Sequence, residues 1–152
     1  MLHEAFILKN TLQGSPDHRI YQMVLRTPIA YEAQPGQFVH IKVRDGLDPL
    51  LRRPLSISVI DRERGTVTVC YRVQGKGTRY LAQAKAGDRL DVLGPLGRGF
   101  TLTGKNRSGQ ANGELWLVAG GIGIFPLFAL AAEAKRSAFP VKLYWGGETA
   151  AF

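Results

Sequence analysis

The feature that most constrains this chain is a period-two alternation of apolar and polar residues that recurs through residues 1–102. In FVHIKVR, residues 38–44, Val39, Ile41 and Val43 share one side while His40, Lys42 and Arg44 take the other. In VTVCYRV, residues 67–73, Val67, Val69, Tyr71 and Val73 form the apolar side, opposed by Thr68, Cys70 and Arg72. Tyr21, Met23 and Leu25 repeat the pattern. A period of two is that of a half-buried antiparallel strand, not a helix. Turn-forming clusters separate the runs: GSPDH at 14–18, QPGQ at 34–37, RERG at 62–65, AGD at 86–88 and GPLGRG at 94–99.

The pattern predicts strands at about 5–12, 19–26, 38–44, 55–61, 66–73 and 89–93. Short strands with regular turns suit a closed barrel, because closure leaves no exposed edge. A short helix is expected near 78–86, covering one barrel end with Tyr80, Leu81, Ala82 and Ala84.

After residue 102 the pattern changes. TGKNRSGQANG, residues 103–113, lacks any hydrophobic period and reads as a linker. LWLVA, residues 115–119, is a continuous apolar run, expected as a strand buried on both faces. GGIG follows, then a helix expected over 124–137 with Leu127, Leu130, Ala131 and Ala134 on one stripe. Pro126 is tolerated in a first helical turn. VKLYW, residues 141–145, closes a strand–helix–strand unit with parallel strands. The expected division is a barrel at 1–102, a linker at 103–113 and an incomplete βαβ nucleotide-binding unit at 114–152. One such unit cannot bury both faces of its own sheet. C-terminal truncation or cover by another chain is therefore expected.

Composition narrows the chemistry. A single cysteine among 152 residues excludes an internal disulfide and falls short of the thiolates an iron–sulfur cluster needs. A net charge of +8 admits phosphates, acidic proteins or nucleic acid as partners. No signal peptide and no membrane-spanning apolar run is evident, so a cytoplasmic location is expected.

Three segments could hold a ligand. Arg53-Pro54-Leu55-Ser56 combines a cation, a fixed φ, an apolar side chain and a hydroxyl at a strand entrance; a solvated edge strand is the alternative. Gly75-Lys76-Gly77-Thr78 precedes a helix and could cradle a phosphate, or simply cap that helix. Gly120, Gly121 and Gly123 lie between a buried strand and a helix. Glycines there let a pyrophosphate approach backbone N–H groups, or merely allow a tight turn; Pro126 replaces the third glycine of the dinucleotide fingerprint.

The order of these segments resembles the ferredoxin–NADP reductase-like flavoproteins, in which a β-barrel binds FAD and an α/β domain binds a nicotinamide dinucleotide. The family's R-x-[YFL]-[ST] motif falls on Arg53, Pro54, Leu55 and Ser56. Its second flavin segment falls on Cys70, Tyr71 and Arg72, and its diphosphate segment on Gly77 and Thr78. DPLLRRPLSI, YRVQGKGT, LDVLGPLGRGF and LVAGGIGIFPL together look like the electron-transfer subunits of NAD-linked dihydroorotate dehydrogenases. The resemblance implies a six-stranded antiparallel Greek-key barrel with FAD. It also implies NAD at Gly120, Gly121 and Gly123, and a catalytic flavoprotein subunit as partner, in pyrimidine biosynthesis. The family's cluster cysteines and the second half of its dinucleotide domain have no counterpart here, and the linker is longer than the family leads one to expect. Neither a cluster nor competent NAD binding is therefore expected of these 152 residues; NAD binding is expected to be weak or absent.

On that reading Arg53 neutralises the FAD diphosphate. Gly77 and Thr78 add backbone and hydroxyl donors, Leu55 packs beside the isoalloxazine, and Ser56 bonds near its reactive nitrogen. The 70–72 strand holds the ring and ribityl with its backbone. Arg52 is expected to face solvent, the adenosine side or a partner. No side-chain acid or base, and no metal ligand, is assigned. The competing readings are a stand-alone flavin or ferredoxin reductase of the same fold, a basic barrel that binds nucleic acid, and a barrel with a purely structural role.

Overall fold

A computed structural model of the chain describes residues 1–44, 46, 48–102 and 113–147. The linker expected at 103–113 lies, apart from Gly113, outside the described residues.

Six strands, β1 (Leu2–Gln13), β2 (Ile20–Arg26), β3 (Phe38–Lys42), β4 (Arg53–Asp61), β5 (Thr66–Arg72) and β6 (Arg89–Leu96), close into an antiparallel barrel in the order β1-β2-β5-β4-β3-β6. The expected barrel is present. The alternation sets its interior, where Ala5, Met23, Leu25, Val39, Ile41, Ile57, Val69 and Val92 are all fully buried. At roughly 25 cal/mol per Å² of apolar surface removed from water, burial of these side chains is the main force holding the barrel closed.

Two short helices finish the barrel. A single turn, α1 (Ile29–Glu32), lies between β2 and β3 and buries Ile29 and Ala30; the sequence pattern is too short to announce it. The helix expected near 78–86 is α2 (Lys76–Gln83), which starts earlier because Gly75, not Thr78, is its N-cap residue. Leu81 plugs the barrel end, as anticipated. At the other end of α2, Asn10 Nδ2 donates to the carbonyls of Leu81 and Ala84 at 2.7 and 2.9 Å. Asn10 Oδ1 accepts from the buried Tyr71 hydroxyl at 3.1 Å. This network adds side-chain donors at the helix end, where backbone carbonyls run short of partners.

The remaining elements are β7 (Leu115–Gly120), a 3-10 turn at Gly121–Ile124, α3 (Phe125–Arg136) and β8 (Val141–Gly146). β7 and β8 pair in parallel, with Leu115 opposite Val141 and Gly120 opposite Gly146. One expectation fails here. β7 is not buried on both faces: Leu117 and Ala119 are covered, whereas Trp116 and Val118 are 60% and 74% exposed. The reason is that α3 covers one side of the pair only. The expected stripe on α3 also shifts, with Ala129, Leu130 and Ala134 buried.

A second difference concerns the outside of the barrel. Alternation alone would leave the outward residues of β4 and β5 in water. Instead Ser58, Thr66 and Thr68 are buried, and α3 lies along β4. The two units therefore meet at β4, the strand that begins with Arg53.

Candidate functional site

The paired arginines at the start of β4 separate at once. Arg52 turns across the end of β3 to β6, where its two terminal nitrogens donate to the Asp91 carboxylate at 2.9 and 2.8 Å. It also donates to the Asp91 carbonyl at 3.0 Å. The bidentate hydrogen bond with Asp91 raises the Arg52 pKa further above its ordinary value. Arg52 is thus a strap across the barrel and does not face solvent freely. This corrects the expectation for it.

Arg53 goes the other way. Its Nη1 donates to the Leu51 carbonyl at 2.8 Å, and no carboxylate pairs with it among the described residues. Its guanidinium lies directly against the first turn of α2. A Cβ added to Gly77 would fall 2.3 Å from Arg53 Nε and 2.8 Å from Cζ and Nη2. Gly77 is therefore the residue that lets a cation rest on a helix start. The N–H groups of Lys76, Gly77 and Thr78 are in the turn that an α-helix leaves without internal acceptors. Lys76 itself pairs with Asp48.

Thr78 behaves differently from expectation. Its Oγ1 donates to the Gly75 carbonyl at 3.0 Å and accepts from the N–H groups of Gln74 and Gly75 at 3.0 and 3.1 Å. The hydroxyl builds the turn and is not aimed outward as a donor. What this segment offers a ligand is backbone N–H groups and the Arg53 charge, a combination suited to an anion.

Beside this clamp runs a cleft of about 290 Å³. Pro54, Leu55 and Ser56 of β4, Cys70, Tyr71 and Arg72 of β5, and Thr78 of α2 form one part of its wall. Ile122, Gly123, Phe125 and Pro126, from the turn before α3 and the start of α3, form the other. Three segments far apart in sequence thus converge on one hollow. Gly120 and Gly121 are not among its lining residues; Gly123 is. Gln74, Ile122, Phe125 and Pro126 lie within or beside the segments singled out in the sequence but were not assigned to the site there. They carry no chemical signature of their own, but each sits next to a motif residue.

The individual side chains have different jobs. Leu55 packs against the barrel core while also bordering the cleft. Tyr71 points inward: it is 2% exposed, stacks on Tyr21 with ring centroids 5.8 Å apart, and bonds to Asn10. Burial pushes its hydroxyl pKa well above the ordinary tyrosine value, so it stays neutral. β5 therefore presents its backbone to the cleft at Tyr71, not a ring. Cys70 is half-buried, and desolvation pushes its thiol pKa up. A thiol in that state is a poor nucleophile.

A buried Tyr71 also removes the aromatic platform that a nucleic-acid-binding barrel would need, and that reading gains no support. No helix is long and apolar enough to cross a membrane among the described residues. Likewise no cluster of three or more metal-ligating side chains occurs among them.

Comparison with known proteins agrees with this geometry. Residues 5–100 match the family described as oxidoreductase FAD-binding domain. A relative from Geobacillus kaustophilus (strain HTA426), named dihydroorotate dehydrogenase B (NAD(+)), electron transfer subunit, is 46% identical over 134 residues. That match covers 88% of this chain and 51% of the relative. A relative of the same name from Bacillus cereus (strain B4264) is 48% identical over 112 residues, 73% of this chain and 42% of the relative. The chain thus spans about half the length of the curated relatives it matches. Among solved structures, an NADH-dependent reduced ferredoxin-NADP oxidoreductase superposes with a TM-score of 0.80 at 28% identity. It covers 95% of this chain and 49% of that one. The ferredoxin-NADP+ reductase of Plasmodium falciparum gives 0.78 at 13% identity, over 97% of this chain and 60% of that one, a likeness of fold.

Proposed function

The chain belongs to the family of oxidoreductase FAD-binding domains, and from that premise we propose that it is the flavin-bearing part of a dihydroorotate dehydrogenase electron-transfer subunit. In this reading a partner flavoprotein oxidises dihydroorotate, and the electrons reach NAD through the FAD held here, within pyrimidine biosynthesis in the cytoplasm. In the full-length relatives an iron–sulfur cluster would stand between the two flavins. Residues 1–102 are the FAD unit, 103–113 the linker, and 114–152 the opening part of the NAD unit. The curated relatives' shared name supports the subunit assignment.

The observation that carries the flavin site is the stacking of the Arg53 guanidinium on Gly77 at the start of α2. A Cβ at position 77 would occupy the cation's place, so the pair is built as one device. FAD fits it, because its diphosphate needs a cation and a row of backbone donors at one point and its ring needs a flat apolar slot beside them.

Bound FAD supplies the electron and hydride chemistry, and the protein positions it. Arg53 would neutralise the diphosphate by charge-assisted hydrogen bonds, joined by the N–H groups of Gly77 and Thr78. Pro54 fixes the approach of Arg53 to the strand. Leu55 would wall one side of the ring, and the Ser56 hydroxyl would meet its edge. Cys70, Tyr71 and Arg72 would contribute mainly backbone. Gly123, with Gly120 and Gly121 behind it, would let a nicotinamide dinucleotide approach the open side of the cleft.

The test is reconstitution. Protein incubated with FAD and desalted is expected to be yellow, and anaerobic NADH, weakly held by a partial NAD unit, is expected to bleach the flavin band only slowly and at high concentration. A folded, colourless protein would refute the flavin site. A yellow protein that NADH leaves oxidised would instead refute the NAD part of the reading.

A further inference from the structure

We propose that Ser58 and Trp145 are positioning residues that hold the glycine-rich turn of residues 120–125 from its two sides, and so fix its distance from the flavin cleft. The inference rests on the functional reading above and adds to it what sets the pose of the nucleotide-side wall.

Ser58 sits at an irregularity in the strand. β4 and β5 pair Ile57 with Val69 and Val59 with Thr68, so Ser58 is an extra residue, a β-bulge. Strict alternation would send residues 57 and 59 inward and 58 and 60 outward. Instead Ile57 is inside at 0% exposure, and Ile60, beyond the bulge, packs against the core. Ser58 and Val59 fall between them, and Val59 is 41% exposed. Bulges commonly re-aim a side chain beside a functional site. Here the group turned outward is Val59, while Ser58 beside it keeps the outward side that alternation gives it and is 1% exposed, pressed against the first residue of α3. Ser58 Oγ donates to the Phe125 carbonyl at 2.9 Å and accepts from the Cys70 thiol at 3.9 Å. A buried hydroxyl costs free energy unless bonded, and an alanine would fill the place with no such cost. The bond joins the barrel to the βαβ unit at the very residue that borders the cleft.

Trp145 holds the other flank. Its indole Nε1, on β8, donates to the Gly121 carbonyl at 3.0 Å. Gly121 has φ +50, a left-handed conformation that glycine adopts readily. Between these two anchored carbonyls lie Ile122 and Gly123, both cleft-lining. The turn is thus tied to the barrel at one end and to the sheet at the other.

The experiment compares the FAD-loaded wild type with Ser58→Ala, Ser58→Thr and Trp145→Phe. Amide hydrogen exchange is expected to speed up about tenfold over residues 124–128 in Ser58→Ala, the scale of one lost neutral hydrogen bond. Trp145→Phe is expected to do the same over residues 120–123. Exchange in β2 and β5 and the FAD content should not change, and Ser58→Thr should restore protection. Anaerobic reduction by NADH should slow in both loosened variants with the flavin spectrum unaltered. Unchanged exchange in the turn of both Ser58→Ala and Trp145→Phe would overturn the proposal. If Ser58→Ala loosens the barrel as well, Trp145→Phe, which lies outside the barrel, decides by the same criterion. Should NADH reduce no variant, including the wild type, the NAD reading fails while the exchange comparison still judges this inference.

Discussion

Arg53 and Gly77 act as one unit, and their substitutions should separate binding from stability. Arg53→Ala removes the cation at the proposed diphosphate site. It is expected to weaken FAD by about 1.5–3 kcal/mol, roughly ten- to a hundredfold, as read by flavin fluorescence titration. Arg52→Ala should act elsewhere. It breaks a partly exposed strap to Asp91, so it is expected to lower stability by up to about 1 kcal/mol in urea melts and to leave FAD affinity nearly intact. Gly77→Ala is more discriminating. Its Cβ meets only the flexible end of Arg53, and alanine favours a helix over glycine by about 1 kcal/mol. The melting temperature should therefore hold or rise while FAD affinity falls. Affinity that survives Gly77→Ala unchanged would show that the contact is incidental. Cys70 gives a separate check. With its thiol pKa raised by burial and its side chain in the cleft wall, alkylation near neutral pH should be slow, and FAD should slow it further.

Among the elements, α2 holds the most for its size, because its N-terminus is half of the clamp and its C-terminus is fastened by Asn10. Asn10→Ala would leave the Tyr71 hydroxyl and two helix-end carbonyls without that partner. Circular dichroism melts are expected to show a loss of about 1–3 kcal/mol, with FAD affinity falling as the helix frays. The sheet of β7 and β8 carries a pH-sensitive contact. Lys142 and Trp116 both donate to Glu114, and these hydrogen bonds hold its carboxyl below the usual range. A depressed folded-state value means the contact is fully present above the unfolded value and is lost as pH falls through the folded one. Tryptophan emission should therefore change in acid, below the ordinary glutamate range, and Glu114→Gln should abolish that change. Element by element, the strands were legible because burial follows alternation. The start of α2 was not, since Thr78 resembles a cap residue in sequence yet caps from the third position. The outer cover of β4 was not legible either: a bulge leaves no mark in composition, and its partner α3 lies far along the chain. Arg53, Gly77 and Gly123 could be singled out as candidate site residues, each from its motif. That Arg52 turns away to Asp91 could not, because nothing local distinguishes two adjacent arginines.

At the scale of the whole molecule, the barrel and the βαβ unit meet along β4, so the proposed flavin cleft lies at a junction and not inside one unit. Binding there is expected to couple the two. FAD at a hundredfold excess over its dissociation constant should raise stability by about 2.7 kcal/mol, and α3 should gain protection along with the barrel. The net charge of +8 suits phosphate-bearing cofactors, so binding of FAD through its diphosphate should weaken with salt. The most direct measurement is a pair of titrations on the same protein, with FAD and with riboflavin, repeated for Arg53→Ala. A diphosphate clamp predicts that the wild type binds FAD much more tightly than riboflavin, and that Arg53→Ala erases most of that difference while its barrel remains folded. Equal preference for the two flavins in the wild type, or a preference that Arg53→Ala leaves intact, would contradict the account.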